Sequence, residues 1–194
     1  YTRVSANFTP GAQTQVIVSG QGRVTSDLPG VDCTGSCFQY MAAGTLTTLA
    51  ATPDPGWVFT GWSAPGCGGT GTCTPTIHYD PPYGTGNTPI AATFAPANVD
   101  LVSLALSRGT LSPAFSSSAL SYTATVGYGV PTLSITPTVS DGTSTVQVRS
   151  NGAAYQSVAS GSASTGLPLT VGANTIDVAV TASDLVTTKT YTVI

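Results

Sequence analysis

The sequence predicts an all-β chain of two domains, a small disulfide-stapled β unit followed by an antiparallel β-sandwich. Three observations carry this. The strong helix formers Glu, Lys and Met are nearly missing: all eight acids are Asp, Lys189 is the lone lysine and Met41 the lone methionine, while Thr, Ser, Val, Gly and Pro abound. Apolar residues alternate with polar ones through the second half, with turn chemistry at intervals of about a dozen residues. The segment Ser5-Ala-Asn-Phe-Thr-Pro-Gly-Ala12 reappears as Ala91-Ala-Thr-Phe-Ala-Pro-Ala-Asn98, so that Ala6, Phe8 and Pro10 pair with Ala92, Phe94 and Pro96. The second copy closes one unit and opens the next, and 194 residues hold two such units. The expected division is therefore residues 1–8, a strand from or for a neighbouring unit; residues 9–97, the first domain; and residues 98–194, the second.

Composition excludes several function classes. Charged residues make up 7% of the chain, against about 25% in an ordinary soluble domain. The net charge is −3 and the four arginines, Arg3, Arg23, Arg108 and Arg149, are scattered, so no basic stripe tracks phosphates and no nucleic-acid partner is expected. No apolar run approaches the ~20 residues of a membrane span, so no membrane insertion is expected. No signal peptide is visible, and any targeting segment would be cleaved or lie outside these residues.

The four cysteines form two close pairs, Cys33 with Cys37 and Cys67 with Cys73. Zinc is the rival reading, but the tight Cys-x2-Cys knuckle is absent. Two disulfides are expected, each stabilising by about 2 kcal/mol through loop closure, and small units benefit from such staples. Disulfides imply an oxidising compartment: the periplasm, the cell surface or the medium.

In the first domain, residues 15–19 read as a strand. Gly20-Gln-Gly22 reads as a turn that returns residues 23–26 as a hairpin partner. Pro29-Gly30 opens a loop carrying the first cysteine pair, and residues 45–52 form the next strand. Pro53-Asp-Pro-Gly56 is a turn. In the strand that follows, alternation puts Trp57 and Phe59 on one face and Val58, Thr60 and Trp62 on the other. Gly61 inside that strand suggests a bulge or a close backbone approach. Residues 74–78 and 88–94 complete the domain.

Thr45-Leu-Thr-Thr-Leu-Ala-Ala-Thr-Pro53, Gly56-Trp-Val-Phe-Thr-Gly-Trp-Ser63, the pair Cys67 and Cys73, and Ala91-Ala-Thr-Phe94 resemble the divergent InlB B-repeat family. That resemblance implies a small β-grasp-like module strung in bacterial surface and secreted proteins, and a spacer or binding role rather than catalysis.

In the second domain, Val102, Leu104 and Leu106 alternate with polar or small residues, as do Leu120, Tyr122, Ala124 and Val126. Leu133 and Ile135, Val146 and Val148, then Ile176, Val178 and Val180 continue the pattern, and Tyr191 and Val193 close it. One apolar face per strand means antiparallel sheets packed on one side. Asp141-Gly142, Asn151-Gly152 and Gly172-Ala-Asn174 are turn signals. Leu101-Val-Ser-Leu-Ala-Leu-Ser107, Gly109-Thr-Leu-Ser-Pro-Ala-Phe115, Leu120-Ser-Tyr-Thr-Ala-Thr-Val126, Val171-Gly-Ala-Asn-Thr-Ile-Asp-Val178 and Thr188-Lys-Thr-Tyr-Thr-Val193 resemble the bacterial cadherin-like β-sandwich domain. The resemblance implies an immunoglobulin-like extracellular module whose last strand runs on past its Tyr-Thr-Val; a strand stopping at Ile194 would be cut there or finished by a neighbour.

Candidate functional residues are few. Residues 77–89 form a Pro- and Tyr-rich loop, where binding function tends to sit. Tyr79 and Tyr83, with Trp57 or Trp62 nearby, would make a stacking platform for sugar rings or a partner protein; the competing reading makes both tryptophans core. His78, the lone histidine, and Asp80 are too few for a metal site. The acidic clusters that hold calcium between true cadherin domains are absent, because Asp100, Asp141, Asp177 and Asp184 stand singly. No nucleophile elbow, P-loop or dinucleotide fingerprint appears. An internal isopeptide bond would need Lys189 beside an Asn and an acid in the core, and is not expected. No catalytic set, metal or cofactor is expected.

The leading expectation is a non-catalytic structural or adhesive tandem module of a bacterial extracellular or cell-surface protein, partnered by neighbouring domains, identical subunits, or a surface glycan or protein. One alternative is a filament subunit in which Tyr1, Val4, Ala6 and Phe8 belong to a strand exchanged between copies. Another is a carbohydrate-binding region of a secreted enzyme.

Overall fold

The computed structural model describes residues 11–28, 30–42, 46–75 and 89–194, and among these the chain is all strand and loop, with no helix. Two compact units divide it, Tyr1–Pro96 and Ala97–Ile194.

The first unit contains β1 (Gly11–Ser19), β2 (Gly22–Ser26), β3 (Asp32–Cys33), β4 (Cys37–Ala42), β5 (Leu49–Pro53), β6 (Trp57–Ser63) and β7 (Ile90–Pro96). A four-stranded sheet runs β4-β1-β7-β6, and a three-stranded sheet runs β3-β2-β5. β1 and β7, the outermost of these strands in sequence, lie side by side and parallel at the centre of the larger sheet. A strand so placed is buried on its inward face, and Ile90, Ala92 and Phe94 are at most 4% exposed. They pack with Val16, Val24, Leu49 and Trp62 into one core. The strand-exchange residues Tyr1, Val4, Ala6 and Phe8 lie outside the described residues.

Three local expectations need correction. β1 and β2 are not a hairpin; they belong to different sheets. Their glycines serve a close approach. A Cβ on Gly20 (φ +90°) would stand 2.3 Å from the Phe94 carbonyl oxygen, and one on Gly22 would stand 2.5 Å from the Phe94 ring. The chain crosses between sheets where Phe94 leaves room for hydrogen only.

Second, the stretch after the first cysteine pair is not all loop, because β4 pairs with β1 from Val16↔Cys37 to Gly11↔Ala42. The strand expected at residues 45–52 begins only at Leu49, whose N–H and C=O exchange hydrogen bonds with Cys73.

Third, the Gly61 bulge is present, and it changes the faces. Register runs Phe59↔Phe94 and then Gly61↔Thr93, leaving Thr60 extra. An added residue reverses the alternation beyond it, so Trp62 joins Phe59 on the core side instead of opposing it.

The second unit contains β8 (Leu101–Leu106), β9 (Ser121–Tyr122), β10 (Thr132–Leu133), β11 (Ile135–Val139), β12 (Thr145–Ser150), β13 (Gln156–Val158), β14 (Leu167–Pro168), β15 (Ile176–Thr181) and β16 (Thr188–Val193). A five-stranded sheet, β13-β12-β15-β16-β9, shares a core with the pairs β11-β8 and β10-β14. Leu101, Leu104, Ile135 and Leu167 meet Val148, Val178 and Tyr191 there. Val102 is not one of the inward residues: it is 58% exposed, because the ladder skips from Ser103↔Thr138 to Leu101↔Val139 and leaves Val102 as the extra residue of a bulge. At the β12–β13 turn Asn151 and Gly152 both adopt positive φ, 51° and 72°, the conformation that the Asn-Gly pair favours in a tight hairpin. β16 pairs with β9 in parallel, and Ile194 continues that ladder: its N–H donates to the Tyr122 carbonyl and its own carbonyl accepts from the Ala124 N–H.

Candidate functional site

The Gly-aromatic motif of the first unit builds a core post. Trp62 is 7% exposed. Its indole Nε1–H donates to the Gly71 carbonyl at 2.7 Å and its backbone N–H donates to the Gly69 carbonyl at 3.1 Å. A buried indole needs such a partner, and the glycine-rich loop between Cys67 and Cys73 supplies it. Trp62 therefore offers no open ring face for stacking, which corrects its place in the expected platform. Trp57 is half-buried against the same core. His78, Tyr79 and Tyr83 lie outside the described residues.

The cysteines pair as expected, Cys33 with Cys37 and Cys67 with Cys73. The first bond joins β3 of the smaller sheet to the head of β4 in the larger one. The second closes the loop that wraps Trp62, while the backbone of Cys73 is bonded to Leu49.

Fixing β4 has a consequence for the outer face of the larger sheet. Phe38 is 63% and Tyr40 70% exposed. They sit two apart on β4 and so project on the same side. Register sets Gln15 of β1 opposite Phe38, and Gln13 opposite Tyr40. Thr14 and Val16, between and beyond those glutamines, are fully buried on the other side. None of β1, β4, β6 and β7 carries an Asp, Glu, Lys, Arg or His. The result is two open rings beside two amides on an uncharged sheet. In the sequence, Pro29-Gly30 and the cysteine pair mark the stretch through Phe38 and Tyr40 as loop; the signal for a strand there is the alternation Phe-Gln-Tyr-Met directly behind Cys37.

Polar groups of the second unit are bound to its own strands and loops. Lys189 Nζ donates to Asp100 Oδ1 at 2.6 Å and to the Ser117 carbonyl at 2.8 Å. The Asp100 hydrogen bond holds the Lys189 ammonium above its ordinary pKa against the opposing effect of burial. A lysine kept protonated is no nucleophile. Asp177 receives Arg149 Nε at 2.8 Å and the Thr192 hydroxyl at 3.2 Å. Asp141 and Asp184 accept from residues of their own turns, Thr143 and Val186 to Thr187. A cavity of about 240 Å³ opens between Ala124, Leu133, Leu169, Ile176 and Val193. Asn174 lines it, but its amide is already bound to Thr170 and Asn151. No helix among the described residues is long and apolar enough to cross a membrane.

Two family models match the chain: a cadherin-like beta sandwich domain over residues 97–194 and a divergent InlB B-repeat domain over residues 13–98. A protein of Evansella cellulosilytica named "Putative membrane protein" is 36% identical over 158 residues, which are 80% of this chain and 22% of that relative. The chain thus spans about a fifth of the relative's length.

Proposed function

The chain belongs to the cadherin-like β-sandwich family through residues 97–194, preceded by a divergent InlB B-repeat domain at residues 13–98, and on that premise we propose that it is a non-catalytic, adhesive tandem module of a bacterial surface protein. The observation that carries this reading is the succession of two modules of surface-associated type, each with its own core. The two disulfides support placement in an oxidising compartment. The engagement of Lys189, Asp100 and Asp184 in loop anchoring, and of Asp177 in bonds to its neighbouring strands, supports a mechanical role over a chemical one.

The test is made on cells that produce the parent protein. Antibodies raised against this chain should label intact cells, protease treatment of intact cells should remove the label, and in-frame deletion of residues 9–194 should reduce attachment. Label that appears only after lysis, or attachment unchanged by the deletion, would overturn the proposal.

A second reading, the strand-exchanged filament subunit, is favoured by one observation. Ile90, Ala92 and Phe94 form the buried face of a central strand, and Val4, Ala6 and Phe8 repeat that spacing in the sequence. Removal of residues 1–8 should then abolish polymers and leave a folded monomer; polymers that persist without them would sink this alternative.

A further inference from the structure

We propose that the outer face of β4 and β1, centred on Phe38 and Tyr40 with Gln13 and Gln15, is a binding site for a neutral polysaccharide. Large aromatic rings are normally buried, and a pair left open on one face calls for a covering group. The rings here stand on alternate residues of one strand, about 6.7 Å apart along it. Each has an amide across the ladder, Gln15 beside Phe38 and Gln13 beside Tyr40. Ring faces pack against the C–H faces of pyranose rings, and a carboxamide both donates to and accepts from adjacent hydroxyls. That is a repeating ring-plus-amide pattern set against a repeating ring-plus-hydroxyl ligand.

The charge pattern selects among occupants. An acidic glycan or a phosphate polymer would need cations, and the four strands of this sheet have none. Arg23 belongs to the smaller sheet, where its guanidinium is bound to Asp32. A second copy adding at the β4 edge would pair through backbone, for which rings on the face are not required. The platform is also pre-set, which lowers the cost of binding: the Cys33–Cys37 bond ties down the head of β4, and the inward Gln39 packs over Gly30, where an added Cβ would sit 3.1 Å from its amide nitrogen.

This inference adds a ligand to the surface module proposed above. Its failure is separable from that of the module, which is tested by accessibility on intact cells. The experiment titrates the full chain with cellohexaose and with chitohexaose by calorimetry, at low and high salt. Saturable binding that does not change with salt is expected with at least one of the two. Phe38→Ala and Tyr40→Ala should each weaken it by about tenfold or more, with the unfolding midpoint unchanged because both rings are exposed. Tyr40→Phe, which keeps the ring, should weaken it less than Tyr40→Ala. Absence of saturable binding to both oligosaccharides would overturn the proposal. So would binding retained by the Phe38→Ala/Tyr40→Ala double variant, or binding that collapses with salt. A concentration-dependent dimer abolished by the double variant would reassign the face to self-association.

Discussion

Phe59 and Trp62 meet edge to face, ring centroids 5.1 Å apart and planes at 67°, although they stand three positions apart along β6. Strict alternation would set them on opposite faces. Gly61 makes the contact possible. It adopts φ +143°, and a Cβ there would lie 3.1 Å from the Gly69 carbonyl oxygen. Gly61→Ala should therefore destabilise the first unit by about 1–3 kcal/mol through backbone strain. Trp57 and Trp62, the chain's two tryptophans, both lie in the first unit. Urea unfolding followed by tryptophan fluorescence reads that unit alone; an unchanged midpoint would refute the strain argument.

Where β residues alternate without interruption, the sequence was readable. Ile176, Val178 and Val180 are all buried on β15, and Tyr191 and Val193 on β16. The reading failed where one residue was added to a strand. Thr60–Gly61 and Val102 each reverse the inward face, and period-two counting cannot see an insertion unless a glycine marks it. Glycine was itself ambiguous. Gly20 and Gly22 carry turn chemistry, but the cause of their smallness is Phe94, more than 70 residues away in sequence. Short strands such as β13 and β14 are set by the neighbours they pair with, β12 and β10, and leave no periodic trace. At the candidate site, the alternation that exposes Phe38 and Tyr40 was present in the sequence, but only the pairing with β1 turns that stretch into a platform.

The disulfides should differ in what they report. Replacing Cys67 and Cys73 by Ser opens a loop of sequence separation 6, with an expected loss of about 2 kcal/mol from chain entropy. That loop carries the carbonyls bound by Trp62, so its release should also shift tryptophan emission to the red in the native state. Replacing Cys33 and Cys37 should cost a similar amount, about 2 kcal/mol, and leave the emission unchanged, because the indole is held by the other loop. Emission that responds equally to both pairs would contradict this division.

Tyr122 anchors the chain before β9. It is 1% exposed, and its hydroxyl donates to the Ser116 carbonyl at 2.5 Å, lies 2.9 Å from that of Ala119, and accepts from the Ser116 N–H. Tyr122→Phe keeps the ring and its stacking on Phe115 and leaves those backbone groups without their partner. The expected loss is about 1–3 kcal/mol, read by calorimetry as a lower midpoint for the second unit alone. A midpoint shared by wild type and variant would mean that the segment re-forms its bonds elsewhere.

Stability should fall at both ends of the pH scale, for opposite reasons. Asp27 is held below the usual carboxylate range by the Thr48 backbone N–H and the Thr47 hydroxyl. At Asp184 burial pushes the pKa up, but hydrogen bonds from Thr187 and Val186 outweigh it and the net shift is down. A carboxylate with a lowered folded pKa lends stability above its unfolded value, about 4, and loses it as the pH falls through the folded value. Asp27→Asn should flatten the acid limb seen by tryptophan fluorescence, and Asp184→Asn the acid limb of the second unit. Lys189 runs the other way. Its folded pKa is raised, so its contribution is whole below the unfolded value of about 10.4 and disappears as the pH climbs through the folded one. The comparison that isolates this contribution is between wild type and Asp100→Asn. Asp100→Asn removes the carboxylate that holds the Lys189 ammonium, and the difference in stability between the two proteins should shrink as alkali neutralises the lysine. A difference constant from neutral to strongly alkaline pH would show that the Lys189–Asp100 pair carries no pH-linked stability.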